Sequence, residues 1–346
     1  QPLTVRAYVT KRQFIQLQEK HFSITKIELP EKKMYHQLKD QGLRSGNAMD
    51  MYHDYEELTA FLQDIETNYS DIVSLESIGQ SVQGRQLWVM KISENPLQDE
   101  VEPEFKYIAN MHGDETLGRE LSLYLIEWLV SGYGTDSRAT ELIDNTAIYI
   151  MPTMNPDGFE LGRRQNANWV DLNRDFPDQF DDPVNTTSGR QPETQAVMEW
   201  TWANSFVLSA NMHTGALVVN YPYDGPTSYS YSACPDDDLF IHLSLVYADA
   251  HPDMASGGFT EGITNGAEWY ALFGGMQDWN YVWEGDFEIT LEQNETKWPD
   301  PSLLAGLWED NREAMFAYIE QVHKGIRGVV TDADTGSPLA ATVTID

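Results

Sequence analysis

The chain has 346 residues, of which 55 are acidic and 22 are Lys or Arg, so its formal net charge is −33. Its length exceeds that of a typical domain of about 100–200 residues, so we expect one large domain with appended segments, or two domains. So acidic a surface argues against binding to nucleic acids or to anionic membranes. Because 41% of the residues are hydrophobic, the charge belongs to a folded surface, where it serves solubility or attracts cationic substrates.

Cysteine usage and hydropathy limit the cellular context. Cys234 is the only cysteine, which excludes an intramolecular disulfide and a zinc site built from cysteines. The compartment is therefore reducing, or the protein is exported and folds without disulfide bridges. No run of 18 consecutive apolar residues occurs, so we expect no membrane-spanning helix.

Residues 48–324 alternate between predicted strands and helices. Short apolar runs predict strands at 72–75, 86–92, 105–109, 147–151, 206–212 and 286–292. Helical spacing of apolar residues predicts helices that begin near Tyr55 and at 117–130, 193–202, 237–250 and 303–323. This alternation predicts an α/β domain with a mixed, mostly parallel sheet and helices on both faces.

Two flanking segments differ from this domain in composition. Residues 1–47 are predicted to form a small strand-helix-strand extension that ends in a Ser-Gly-Asn linker. Residues 325–346 are rich in β-forming residues on both sides of a turn at 334–338. Because two strands are not stable alone, we expect this segment to be the start of a second, all-β domain.

Two histidines each follow a predicted buried strand. His112 forms an H-x-x-E pair with Glu115, and His213 ends the apolar run at 206–212. In open α/β sheets, functional sites lie at the carboxyl ends of the strands. Two His and one Glu are typical of hydrolytic zinc sites. The H-x-x-E spacing alone is a weak signal, because His53 and Glu56 repeat it at a predicted helix start, where we expect a solvated surface.

Polar residues in two further segments are candidates for the same site. Strand alternation over residues 287–292 places Glu288, Thr290 and Glu292 on one face, and a carboxylate near zinc is a candidate general base. The polar stretch at 155–174 is predicted to be a long loop and contains Arg163, Arg164 and Arg174. These guanidinium groups either bind a substrate carboxylate or pair with structural acids.

Together these segments resemble the zinc metallocarboxypeptidases, in the branch that contains carboxypeptidases E, N, M and D. The resemblance is carried by His112-Gly113-Asp114-Glu115, by Asp171-Leu172-Asn173-Arg174, and by residues 152–160, 274–281 and 287–292, in family order. It implies the zinc carboxypeptidase fold, with an eight-stranded sheet, for residues 48–324. It also implies a truncated transthyretin-like domain at 325–346. Residues 1–47 have no clear counterpart in the catalytic domain, and a prodomain-like extension is one interpretation.

The resemblance also implies a role for each matching position. One zinc ion would be held by His112, Glu115 and His213, with Glu292 as catalytic base and Arg164 at the scissile carbonyl. The substrate-binding residues it implies are Asn173 and Arg174 for the terminal carboxylate, Tyr270 as a mobile cap, Asp224 as the acid that selects basic side chains, and Gln277 as a further specificity position.

The function implied is a zinc-dependent exopeptidase that removes single C-terminal residues, preferably Arg or Lys, from peptides or proteins. The single cysteine and the Gln293-Asn294-Glu295 sequence after the last motif indicate a bacterial member. We expect a secreted or periplasmic location. A related zinc amidohydrolase, such as a peptidoglycan-trimming carboxypeptidase or an N-acyl amino acid deacylase, is the alternative. An inactive peptide-binding homologue is a third possibility, which the complete set of expected catalytic positions disfavours.

Overall fold

The computed structural model describes residues 51–326, 328 and 330–342, together with Leu17 and Lys20. The strand-helix-strand prediction for residues 1–47 therefore lies outside the described residues, apart from those two positions. Among the described residues, no helix is long and apolar enough to cross a membrane.

A mixed eight-stranded sheet forms the centre of the domain, as predicted. Its strands are β1 (Val73–Gln80), β2 (Gln86–Ile92), β3 (Glu104–Ala109), β4 (Ala147–Met151), β5 (Phe206–His213), β6 (Ala216–Tyr221), β7 (Ile263–Asn265) and β8 (Phe287–Asn294). They are arranged in the order β1-β2-β4-β3-β5-β8-β6-β7. The central block β4-β3-β5-β8 is parallel, the β6–β7 pair is also parallel, and the remaining neighbours are antiparallel.

Helices cover both faces of this sheet. They are α1 (Tyr55–Asn68), α2 (Leu117–Gly132), α3 (Ser137–Asn145), α4 (Pro156–Leu161), α5 (Pro192–Trp202), α6 (Asp237–Ala250), α7 (Gly266–Trp269), α8 (Met276–Trp279) and α9 (Leu304–Ile319). Alternation along β4 divides the core. Ile148 and Ile150 join a cluster with α1, α2, α6 and α9, whereas Tyr149 and Met151 join one with α5 and α8. Because both faces of β4 are covered, every residue of this strand is buried.

The parallel block determines where polar side chains converge. The carboxyl ends of β3, β5 and β8 lie side by side, with Ala109 opposite Met212 and His213 opposite Glu292. The loop that follows β3 carries His112 and Glu115, so both predicted histidines and Glu292 lie at the same edge of the sheet. This is the edge at which open α/β sheets bind ligands.

Several predicted boundaries differ from the structure. Strand β1 continues to Gln80 because its second half pairs with β2 around a bulge, which apolar runs do not indicate. Strands β6 and β7 were not predicted. Strand β7 has only three residues, and β6 follows β5 after a two-residue turn, so neither segment has a clear periodic pattern.

The C-terminal segment contains the predicted turn. Thr331 and Pro338 form an isolated antiparallel bridge, and the Leu339 N–H donates to the Val330 carbonyl at 2.8 Å. Among the described residues from 325 onward, no longer strand is formed. The assignment of residues 325–346 to a transthyretin-like domain therefore stays a prediction.

Candidate active site

Two histidine nitrogens and one carboxylate oxygen meet at the carboxyl edge of the sheet. His112 Nδ1 and His213 Nδ1 lie 3.0 Å apart, and Glu115 Oε2 lies 2.9 Å from the first and 2.8 Å from the second. All three side chains are buried and are placed to hold a metal ion. The sequence-based prediction therefore selected three residues that the fold brings together.

The local backbone conformation positions the side chains of His112 and Glu115 in this cluster. Asn110 has a φ of 56°, and its side-chain amide donates to the carbonyls of His112 and Glu115, at 3.0 Å in each case. A Cβ atom on Gly113 would lie 2.1 Å from the backbone of Gly158, so this close approach requires glycine. The short loop after β3 is thus fixed by hydrogen bonds and by packing against α4.

The donor set and its surroundings fit zinc. His112 Nε2 lies 3.0 Å from Asp171 Oδ1, which is the carboxylate–histidine–metal arrangement typical of zinc sites. Burial and the neighbouring His112 lower the pKa of His213 to about 4, which favours the neutral imidazole that a metal requires. Burial alone would raise the pKa of Glu115, but the two histidines hold it well below its usual range, so the carboxylate is charged.

Glu292 lies beside this cluster and is partly buried. Its Oε2 atom has no hydrogen-bond partner among the described residues. Burial and the nearby Glu115 carboxylate raise the pKa of Glu292 well above its usual range. A bound divalent cation would oppose this shift, because it would add a large positive charge next to the carboxylate. A carboxyl group with one buried, unpaired oxygen atom beside a metal site has the environment of a group that exchanges protons.

Two cations bind the other oxygen of Glu115. Arg164 NH1 lies 3.1 Å and Lys297 Nζ 2.7 Å from Glu115 Oε1, and Arg164 also donates to Asp171 at 2.7 Å. Sequence reasoning selected Arg164 but missed Asp171 and Lys297. Asp171 is the first residue of the Asp171-Leu172-Asn173-Arg174 motif, so this motif could have pointed to it. Lys297 lies in the segment after β8, where no pattern marks it.

Asp224 forms the acidic end of the site. Its side chain is buried, and its Oδ1 atom accepts a hydrogen bond from the Asn220 amide at 3.0 Å. A Cβ atom on Gly266 would lie 1.9 Å from this oxygen, so glycine leaves room for the carboxylate. The backbone N–H of Asp224 donates to the buried Asp278 carboxyl at 3.0 and 3.1 Å. Burial raises the pKa of Asp224 to about 6.

The other predicted substrate-binding residues differ in how far their side chains are exposed to solvent. Asn173 is buried, and its Oδ1 atom accepts from the Met276 N–H at 3.0 Å, whereas Arg174 is exposed. Tyr270 is 38% exposed and therefore has room to move. Gln277 is only 1% exposed and does not line the cavity formed by these side chains.

A single cavity brings most of these side chains together. Its lining includes Asn220, Trp269, Leu272 and Thr290, which sequence reasoning did not select as binding residues, along with His112, Arg164, Asn173, His213, Asp224, Tyr270 and Glu292. This cavity is thus lined by two imidazoles, by the guanidinium group of Arg164 and by the carboxyl groups of Glu292 and Asp224.

Three other sequence candidates have structural roles. His53 Nδ1 lies 2.7 Å from Glu120, so the expectation of a solvated surface was wrong for this residue. Glu288 is buried and accepts hydrogen bonds from Ser209 and Asn211 at 2.9 and 2.8 Å. Arg163 stacks over the Trp169 ring at 4.0 Å instead of pairing with an acid.

Comparison with known proteins agrees with this geometry. Residues 58–314 match the family model described as Peptidase_M14, zinc carboxypeptidase. The chain belongs to the zinc carboxypeptidase family. It is 49% identical to mouse carboxypeptidase M over 310 residues, which cover 83% of this chain and 69% of the relative. It is 45% identical to human carboxypeptidase D over 317 residues, which cover 85% of this chain and 23% of the relative.

The same fold occurs in solved structures. The crystal structure of thrombin activatable fibrinolysis inhibitor aligns with a TM-score of 0.74 at 20% identity and covers 85% of this chain and 81% of its own. The recognition from sequence, the fold class and zinc as the family's metal are therefore confirmed. The chain spans less than a quarter of the length of human carboxypeptidase D, so the activity of the whole protein is treated as a proposal.

Proposed function

We propose that this chain is a zinc-dependent exopeptidase that removes single C-terminal residues, preferably Arg or Lys, from peptides or proteins. The observation that carries the proposal is the shared cavity, which is lined by His112, His213 and Glu292 together with the buried Asp224. A hydrolytic centre and an acidic side-chain site are thus within reach of one peptide end.

The hydrolytic step is assigned to residues at the metal edge. A zinc ion held by His112, Glu115 and His213 would polarise the scissile carbonyl and acidify a water molecule. Glu292 would accept a proton and pass it to the leaving amine, a role supported by its Oε2 atom, which is buried and has no hydrogen-bond partner among the described residues. Arg164 would donate to the carbonyl oxygen as negative charge develops there.

Recognition of the chain end is assigned to Asn173, which lines the cavity, and to its neighbour Arg174. Asn173 and Arg174 would bind the terminal carboxylate, which restricts cleavage to the last peptide bond. Tyr270 would cover the bound residue. Gln277, which is buried and does not line the cavity, would influence selectivity indirectly.

The preference for basic residues is assigned to Asp224. A buried carboxylate without a cationic partner is costly, and a substrate guanidinium or ammonium group would supply that partner. Asn220 supports this role, because its amide nitrogen bonds Asp224, its Oδ1 atom has no partner among the described residues, and the residue lines the cavity. The excess of acidic residues over the whole surface would attract basic peptides.

Metal analysis combined with blocked and free peptides tests the proposal. We expect one zinc per chain, and release of a single Arg from a peptide with a free C-terminal carboxylate. The same peptide with a C-terminal amide should stay intact, because Asn173 and Arg174 would have no carboxylate to bind. Internal cleavage, hydrolysis of N-acyl amino acids in preference to peptides, or activity that survives complete zinc removal would contradict it. A secreted or periplasmic location is proposed as well, and cell fractionation tests it.

A further inference from the structure

A buried polar pair joins β5 to β8 on the same face of the sheet as the active site. Ser209 and Glu288 are register partners on these strands, four residues before His213 and Glu292 respectively. Because side chains alternate along a strand, both pairs project from the same face. Ser209 and Glu288 are fully buried, each with 0% of its surface exposed. A contact between them therefore supports the strand pairing that places His213 beside Glu292.

The Ser209 hydroxyl contacts two buried carboxyl groups at once. Its Oγ atom lies 2.7 Å from Asp286 Oδ2 and 2.9 Å from Glu288 Oε2. A serine hydroxyl has a single proton, so it can donate to only one of these oxygens. If both carboxyl groups were ionised, the other contact would bring two oxygen atoms together with no hydrogen between them. One of the two carboxyl groups must therefore supply a second proton to this contact.

The charges around Ser209 lead to the same proton count. The buried Lys106 ammonium lies 3.1 Å from Asp286 Oδ2 and 2.9 Å from Asn280 Oδ1. One ammonium balances one carboxylate, and a second ionised carboxylate would leave an uncompensated buried charge, which is costly. Tyr318 on α9 also faces this region, because its hydroxyl donates to the Ser209 carbonyl at 2.8 Å. Burial raises the pKa of Tyr318 well above its usual range, so this residue is neutral.

We propose that Asp286, Ser209 and Glu288 form a buried proton-binding site, in which the two carboxyl groups share one proton through the serine hydroxyl. The shared proton completes a bridge between β8 and β5. Burial raises the pKa of Glu288 from 4.5 to about 7, which agrees with a proton that is retained in the folded state. For groups coupled in this way, the proton belongs to the pair and not to one residue. The inference does not depend on the proposed cleavage reaction.

The proton site should make the stability of the protein depend on pH. Because the pKa of Glu288 is higher in the folded state, the stability that the bridge adds is fully present below pH 4.5 and is lost as the pH rises to about 7. One proton changes the unfolding equilibrium constant by about tenfold per pH unit in this window. Chemical denaturation of the zinc-loaded protein measures this constant. Relative to Glu288→Gln, which cannot release the proton, the wild type should lose up to about 100-fold between pH 5 and pH 7.

Asp286→Asn distinguishes a shared proton from one that burial alone retains on Glu288. In this variant Lys106 balances an ionised Glu288, and Ser209 can donate to it without a second proton. The pH-dependent loss should therefore disappear, as in Glu288→Gln. Glu295→Gln changes an exposed carboxylate just after β8 and should keep the wild-type dependence. Wild-type pH dependence in Asp286→Asn would show that Glu288 holds the proton by itself and would overturn the inference.

Infrared spectroscopy detects the proton directly. A protonated carboxyl group has a C=O stretching band that is separate from the bands of a carboxylate and shifts in D₂O. At pH 6 we expect the folded wild type to show such a band that both Glu288→Gln and Asp286→Asn lack. Equal spectra for the wild type and either folded variant would overturn the inference. If a variant does not fold, the other decides, and a wild type without any protonated-carboxyl band at pH 6 overturns the inference without either variant.

Discussion

His213 and Glu292 are register partners on the adjacent parallel strands β5 and β8. The pairing places a proposed metal ligand and the proposed base side by side at the carboxyl ends of two buried strands. A shift of one residue in either strand would turn one of the two side chains to the opposite face of the sheet. The catalytic geometry therefore depends on strand register, which the apolar residues on both faces of these strands define.

Replacing Glu292 with Gln should abolish turnover and leave the metal bound. The amide keeps the shape of the side chain but cannot accept a proton, and general acid–base catalysis contributes roughly 10²–10⁴-fold. Steady-state rates and zinc content, measured on the same preparation, check this. Glu288→Gln is the matched control, because burial already raises the pKa of Glu288 to about 7 and a neutral side chain suits its site. Rapid turnover by Glu292→Gln would place the base elsewhere.

Asp171→Asn should weaken zinc binding more than it changes the fold. Asp171 Oδ1 lies 3.0 Å from His112 Nε2, and loss of such a carboxylate typically costs 10–100-fold in metal affinity. Competition with a fluorescent zinc chelator measures the affinity. Asp175→Asn is the control, since Asp175 lies in the same segment but accepts from the Gln191 N–H. Equal zinc affinities for the two variants would show that Asp171 does not support the metal site.

The sequence predicted the metal-binding triad because each of its residues belongs to a motif or ends an apolar strand. Local patterns of this kind can be recognised in a single sequence. The support around the triad could not be predicted in the same way. Lys297 reaches Glu115 across 182 positions of the chain, and Asp171 meets His112 across 59 positions. Contacts of this kind depend on strand order, which apolar periodicity does not determine.

The preference for basic residues should weaken as the pH falls through about 6. Burial raises the pKa of Asp224 from 3.8 to about 6, so below that pH the carboxyl group is protonated and offers no charge to a guanidinium group. Dividing kcat/KM for the Arg peptide by kcat/KM for a matched Phe peptide cancels any pH dependence that the two substrates share. We expect this ratio to fall between pH 7 and pH 5 in the wild type. It should stay flat in Asp224→Asn, and a flat wild-type ratio would contradict the assignment.

The same shift makes Asp224 a cost to stability at neutral pH. Because its pKa is higher in the folded state, the stability it contributes is fully present below pH 3.8 and is lost as the pH rises to about 6. Asp224→Asn should therefore gain stability relative to the wild type between pH 4 and pH 7. Chemical denaturation at both pH values measures the free energy of unfolding. A difference between the two proteins that does not change with pH would contradict this account.

Substrate selection by Asp224 is the central claim, and kcat/KM for paired peptides that end in Arg or Phe tests it most directly. Sites built to bond a polar group discriminate by up to about 10⁴-fold against analogues that lack it, so the wild type should strongly prefer Arg. Asp224→Ala should lose most of this preference, mainly through a lower value for the Arg peptide. Asp249→Asn, an equal change of charge at an exposed position on α6, should keep it. Equal wild-type values for the two peptides, or a preference that Asp224→Ala leaves intact, would contradict the account.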